Sequence, residues 1–258
     1  MSVFSKIFGP SKHTKEPIDL SPLKADMHSH FIPGIDDGAK TMDDTIAMLC
    51  EFSALGYKKV VTTPHVMSDA YRNTPEIIMD GLSKVRVAIK SAGISIEIDA
   101  AAEYYLDLGF EKLIDEKKVL TFGKPAPNAA SGSYVLFELA FINPPDSLYG
   151  VIFKLLTNGY KPVLAHPERY NFWHGDFKKY EELVEKGVLL QLNLNSLSGH
   201  YGVPTQKIAE RMIDQNMISF IGSDCHHMGH IEILKNRTVF EKSLQKLMES
   251  GKLLNNTL

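Results

Sequence analysis

The sequence predicts an α/β protein, and within that class a barrel of seven parallel strands alternating with helices. Three observations predict it. Short apolar runs rich in Val, Ile and Leu recur along the 258 residues, separated by segments of helical character. Gly56, Gly93, Gly159, Gly187 and Gly251 each follow a helical run, where glycine ends a helix in the left-handed conformation. Most of the apolar runs also end at or near His, Asp or Glu, as strands do when their C-terminal ends form a barrel mouth. A doubly wound open sheet is the alternative reading of the same alternation.

The first strand is expected over 23–28 and runs into Asp26-Met27-His28-Ser29-His30. Residues i and i+2 of a strand face the same way, so both imidazoles can reach one ion. A helix over 41–54 follows, where Thr41 precedes Asp43 and Asp44 and carboxylates favour the positive end of the helix dipole. Further strands are expected over 58–63, 95–102, 134–139, 161–165, 188–193 and 218–222, and helices over 75–91, 147–157, 178–185, 204–216 and 241–250. Residues 1–20 lack strong periodicity and carry Pro10, Pro17 and scattered lysines; they read as a tail, leaving 21–258 as a single domain.

Composition narrows the function classes. Hydrophobic content of 44% and charged content of 23% are those of a soluble globular protein. A formal net charge of −3 argues against nucleic acid or an acidic membrane as the main partner. No apolar run approaches bilayer length, so no stable membrane insertion is expected, and the N-terminus lacks signal-peptide character. The two cysteines, Cys50 and Cys225, imply no disulfide framework; Cys50 falls in the first helix pattern as a core candidate. A cytoplasmic protein is the simplest reading.

The polar residues at the strand ends carry the chemistry. They include His28, His30, Asp36, Asp37, His65, Glu103, Glu138, His166, Glu168, Arg169, Asp224 and His226. If the strands form a barrel, these converge, and they suffice for two or three ions with bridging carboxylates. Glu138 lies in an apolar strand, where an unpaired carboxylate is costly; a metal, an arginine or a strand-end position would resolve this. His65 and His166, taken singly, could be structural histidines. Asp224 and His226 repeat the i, i+2 geometry of the first pair. His13, His174 and His230 read as surface residues, whereas His200 and His227 stay ambiguous.

His28-Ser29-His30, Asp36-Asp37-Gly38, Thr63-Pro64-His65, Glu103, His166-Pro167-Glu168-Arg169-Tyr170 and Ser223-Asp224-Cys225-His226 resemble the PHP (polymerase and histidinol phosphatase) family. The run from Asp36 to Thr41, Phe137-Glu138 and the segment 191–202 resemble its bacterial protein-tyrosine phosphatase branch, which acts in capsule and exopolysaccharide control. The resemblance covers roughly 23–235. It implies a distorted seven-stranded (β/α)7 TIM-like barrel, the PHP fold. It implies one ion held by His28, His30, Glu103 and Asp224, a second among Asp37, His65 and His226, and a third bound by Glu103, Glu138 and His166. Mn, Fe or Zn suits such a mixed set better than Ca. Arg169 would clamp the phosphate and Asp37 is the candidate general acid.

Three functions compete. The first is a metal-dependent protein-tyrosine phosphatase acting on the tail of a bacterial tyrosine autokinase. The second is a small-molecule phosphoesterase such as a histidinol-phosphate phosphatase. The third is a non-catalytic metal-binding scaffold. The intact ligand set argues against the third, and carboxylates at 37 and 138 weigh against the second.

Overall fold

Every named strand pairing in the described residues is parallel. The computed structural model describes residues 18–123, 133–235 and 237–258, without the side chains of 237–240. His13 and most of the expected tail lie outside the described residues. The strands are β1 (Ala25–Asp26), β2 (Lys59–Thr62), β3 (His65–Val66), β4 (Glu97–Ala100), β5 (Glu103–Tyr105), β6 (Tyr134–Glu138), β7 (Lys161–Ala165), β8 (Leu189–Asn193) and β9 (Ile218–Gly222). The helices are α1 (Met42–Ala54), α2 (Pro75–Ser91), α3 (Leu108–Asp115), α4 (Leu148–Thr157), α5 (Lys178–Glu185), α6 (Val203–Asp214), α7 (Met228–Leu234) and α8 (Arg237–Glu249).

The seven expected strand segments are present but divided between two sheets, β1-β2-β4 and β3-β5-β6-β7-β8-β9. The division falls where the second and third segments are each broken. Thr63-Pro64 separates β2 from β3, and Ala101-Ala102 separates β4 from β5. Pro64 has no N–H and cannot extend a ladder. The broken halves keep their register, because Ala101 N donates to Thr62 O (2.9 Å) and Glu103 N to Pro64 O (3.1 Å). The first and last segments meet in an isolated parallel bridge, Ser29 with Cys225. Asp224 N donates to His28 O (2.8 Å) and His30 N to Cys225 O (3.0 Å).

Side-chain alternation sorts two cores. On β6, Tyr134, Leu136 and Glu138 share one face, and Val135 and Phe137 share the other. Tyr134 and Leu136 join Met27, Val61, Ala101, Phe122, Val163, Ala165 and Phe220 in an inner apolar cluster. The opposite faces pack under the helices, among them Met48, Leu49 and Phe52 of α1 and Ile78, Leu82 and Val85 of α2. Glu138 lies one pleat beyond Leu136 on the same face, which puts it past the inner cluster at the strand end.

Local sequence accounts for many boundaries. Thr41 Oγ1 accepts from Asp44 N (3.2 Å) and Asp44 Oδ2 accepts from Thr41 N (3.0 Å), a capping box that starts α1. All five glycines singled out above have positive φ, from +67° at Gly251 to +101° at Gly56. Two helices were not legible. α3, of 8 residues, and α7, of 7, lie in segments where the sequence analysis marks no helix. α8 begins at Arg237, earlier than its pattern suggests. Cys50 is exposed rather than core, because it lies on the outer side of α1. Cys225 is buried, its Sγ 3.9 Å from Met48 Sδ. No described helix is long and apolar enough to cross a membrane.

The end of the expected tail is packed. Ile18 and Leu20 are buried, and Leu20 N donates to Leu55 O at the close of α1 (2.8 Å). Leu20→Ala is expected to cost about 2–4 kcal/mol of stability, as buried large-to-small changes do. Chemical denaturation of the variant against the parent checks this.

Candidate metal centre

Two histidines define the first cluster because their outer nitrogens are already committed. His28 Nδ1 lies 2.8 Å from Gln191 Oε1, which also accepts from the His166 backbone N–H (3.1 Å). That second bond fixes the amide oxygen as an acceptor, so His28 Nδ1 is the donor. His30 Nδ1 donates to Asp36 Oδ2 (2.8 Å). Asp36 is itself fixed by the N–H groups of Gly38 (2.9 Å) and His65 (3.1 Å). With Nδ1 donating, neutral imidazole presents the Nε2 lone pair.

Those lone pairs meet. His28 Nε2 and His30 Nε2 are 3.4 Å apart. Glu103 Oε2 is 3.1 Å from His28 Nε2 and 3.5 Å from His30 Nε2. Asp224 Oδ1 is 3.4 Å and 3.5 Å from the same two atoms. Four ligand atoms around an ion at zinc-like bond lengths would be about 3.4 Å apart. Glu103 Oε2 is buried and has no hydrogen-bond partner, which a cation would supply. The donor set therefore fits a divalent transition ion.

A second group shares the neighbourhood. Asp37 Oδ1 is 3.5 Å from His65 Nε2 and 3.4 Å from His226 Nε2, and His226 Nδ1 donates to Asp224 O (2.9 Å). His30, Asp37, His65 and His226 offer ligand atoms all within 4.8 Å of one another, as do His65, Glu103 and Glu138. His65 Nδ1 reaches Glu103 Oε2 (3.2 Å) and Glu138 Oε1 (3.1 Å). His166 Nε2 lies 3.0 Å from Glu103 Oε1 but 4.0 Å from Glu138 Oε2. All the ligand candidates named from sequence thus surround one space.

Arg169 caps this space. Its Nη1 donates to Asp224 Oδ2 (2.7 Å), so its ion-pair partner is Asp224 and not Glu168. Glu168 turns inward: its Oε1 accepts from Asn193 N (3.0 Å) and Ser196 Oγ (2.6 Å). Asn193 Nδ2 also donates to Asp224 Oδ2 (2.9 Å). A cavity of about 350 Å³ opens above, lined among others by Asp37, His65, Phe141, Arg169, Tyr201 and His230.

The backbone bends sharply at two of these residues. His166 has φ +33° and Asp224 has φ +49°, both left-handed. Such positions cost on the order of 1–3 kcal/mol each unless the surroundings hold them. Gly222 lets the last strand approach the first; a Cβ there would fall 2.6 Å from His28 Cβ and 2.7 Å from Gln191 Nε2.

Asp36, named above among the strand-end residues, and Gln191, at the end of the expected sixth strand, orient the first histidine pair as outer hydrogen-bond partners. Sequence reasoning misplaced two histidines. His230 is half-buried in the cavity wall, with Nδ1 against Asp224 O (3.2 Å) and His226 N (3.3 Å), not at the surface as expected. His174 is also half-buried, its Nε2 bonded to Glu168 O (2.8 Å). His200 and His227 are exposed, their rings close to that of His230.

Imidazoles and carboxylates converging among parallel strands are the donor set of a metal-dependent hydrolase. Within that class, the chain belongs to the capsular polysaccharide synthesis family CpsB/CapC, whose family model matches residues 24–253. It is 27% identical to the tyrosine-protein phosphatase YwqE of Bacillus subtilis, over 79% of this chain and 77% of that one. It is 25% identical to the putative tyrosine-protein phosphatase CapC of Staphylococcus aureus, over 89% and 90%. A crystal structure in the work on YwqE and Streptococcus pneumoniae CpsB, described as metal-dependent tyrosine phosphatases, superposes with a TM-score of 0.76 at 25% identity, covering 91% and 95%. The histidinol phosphate phosphatase of Lactococcus lactis shares the fold (TM-score 0.50, 14% identity, 85% and 93% covered).

The charges couple the site to pH. Burial opposes the His28 imidazolium, but Glu103 and Asp224 outweigh it and raise its pKa to about 9. Burial likewise opposes His65, and Glu103 and Glu138 raise it to about 10. His226 reaches about 9 against burial, through Asp37 and Asp224. Folded pKa values above the unfolded 6.5 mean stability that is full below 6.5 and lost as pH rises through 9–10. Burial-raised Asp26 and Glu168, each to about 7, act with the same sign at lower pH. The metal-free protein is therefore expected to lose thermal stability from neutral pH upward. Metal-loaded protein, whose imidazoles are neutral ligands, should lose less over that window, and loading at pH 7 should release protons. Thermal melts across pH, with and without chelator, check both.

Proposed function

We propose that this chain is a metal-dependent protein-tyrosine phosphatase, cytoplasmic, acting on the tyrosine-phosphorylated tail of a bacterial autokinase that controls capsule or exopolysaccharide synthesis. The convergence of His28, His30, Glu103 and Asp224 on one point carries this reading, together with membership of the CpsB/CapC family. The two sheets are read as one seven-strand barrel interrupted at Pro64 and Ala101, preceded by a short N-terminal extension.

The reading assigns three ion positions, as the family resemblance implies. The first takes His28, His30, Glu103 and Asp224. The second takes Asp37, His65 and His226, with His30 close by. The third takes Glu103 and Glu138 with His166, and His65 reaches it as well. Manganese is favoured, with iron or zinc compatible with the same His and carboxylate set. Bound divalent ions would neutralise the phosphate oxygens and lower the pKa of an attacking water.

The chain's own residues bind and orient the ester. Arg169, held by Asp224 on one edge and lining the cavity, clamps the phosphate. Asp37 receives a hydrogen bond from His226 that, with nearby His charges, holds its carboxyl down at about 2. That anion suits a metal ligand, one of the two roles expected of Asp37 from sequence. A tyrosine phenolate, with an ordinary pKa of about 10, leaves with less need of a proton than an alkoxide.

Exhaustive chelation is expected to abolish turnover of phosphotyrosine peptide, and a transition metal such as Mn to restore it. Full activity after verified metal loss, or preference for histidinol phosphate, would overturn the reading. Arg169→Ala is expected to lower kcat/KM by about 30- to 1,000-fold. Metal content should stay intact, because Asp224 keeps its bond from Asn193 and a guanidinium offers no lone pair. His166→Ala should instead lower metal content; elemental analysis separates the two.

A further inference from the structure

Phe141 lines the cavity above the ligand cluster. It follows β6 in a bend whose start is held by Leu139 N donating to Tyr170 Oη (2.9 Å). Its ring lies over His166 (centroids 5.8 Å apart, 21° between planes) and beside Tyr170 (5.6 Å). The Arg169 guanidinium sits 4.9 Å from the Phe141 ring and 4.2 Å from the Tyr201 ring, flanked by both. Tyr201 is fixed from behind, its hydroxyl accepting from Asn193 Nδ2 (3.3 Å). Phe141 nevertheless remains 45% exposed in a cavity lined mainly by imidazoles and carboxylates. A large apolar ring left 45% exposed beside a phosphate clamp has surface to offer a ligand.

We infer that Phe141 is a specificity-determining residue that selects aryl over alkyl phosphate monoesters by stacking on the ring of the ester group. The inference rests on the proposed phosphatase reading and adds how the site would recognise its substrate. With the phosphate at Arg169 and the Glu103 cluster, the organic group must leave through the mouth. In an aryl ester the ring is one ester oxygen from phosphorus, so it emerges beside Arg169, where Phe141 already lies. A serine-type ester puts only a methylene there and gains little from the contact. Aromatic pairing beyond simple burial is worth about three- to tenfold in binding.

Calorimetric titration of the metal-loaded full chain with benzylphosphonate and ethylphosphonate tests this without any leaving-group effect. Phe141→Leu is expected to weaken benzylphosphonate relative to ethylphosphonate about three- to tenfold. Phe141→Tyr, which keeps the ring, should preserve the parental ratio. An unchanged ratio in Phe141→Leu, or an equal loss of ratio in Phe141→Tyr, overturns the inference. The parent is assayed alongside on phosphotyrosine peptide. Turnover by the parent with an unmoved ratio rejects the Phe141 role alone. No turnover by the metal-loaded parent rejects the phosphatase reading instead.

Discussion

Four imidazoles from three segments of the chain reach one buried carboxylate. Glu103 lies 3.1 Å from His28, 3.5 Å from His30, 3.2 Å from His65 and 3.0 Å from His166. A carboxylate removed from water is costly unless charge and hydrogen bonds compensate. Here burial would push its pKa up, and His28 and His65 pull it well below the ordinary range instead. The strand that carries Glu103 must therefore lie where these rings can surround it. The breaks at Pro64 and Ala101 let the second and third segments shift sheets while placing His65 and Glu103 in register as direct neighbours.

Orientation is supplied one layer out. Gln191 Oε1 serves His28 and the backbone of His166 at once, so one amide on β8 aligns ligands from the first segment and the turn after β7. Asp36 does the same for His30, the Gly38 turn and the His65 backbone. Asn193 and Arg169 share the second oxygen of Asp224, leaving its first oxygen to the cluster. Such outer partners set which nitrogen of each histidine is free.

Much of this was legible in the sequence, and the rest for identifiable reasons was not. α2, α5, β7 and β9 run over the segments their patterns mark, because capping residues, glycines and continuous apolar runs coincide there. The strand breaks were hidden, since hydrophobic alternation continues across Ala101-Ala102 and says nothing of hydrogen bonding. The ligand candidates could be listed because His and carboxylate at strand ends are chemically conspicuous. Asp36 and Gln191 stood among the strand-end polar residues without their orienting role showing, and Phe141 carried no signal, since their value lies in a neighbour brought close only by the fold. His230 misled for the same reason: nothing near it in sequence announces that it packs beneath the 224–227 turn.

The bridge between Ser29 and Cys225 joins the first strand to the last, and it has a consequence for how the molecule comes into being. A chain emerging from the ribosome exposes His28 and His30 early, while Asp224 and His226 are still unsynthesised. Strands paired with sequence neighbours can assemble in order as they appear. The ion cage, by contrast, is shared between the two ends of that order and closes only when synthesis is nearly over. A chain truncated before the last strand lacks Asp224 and His226, so the first two groups each lose one member and Arg169 has no Asp224 to grip.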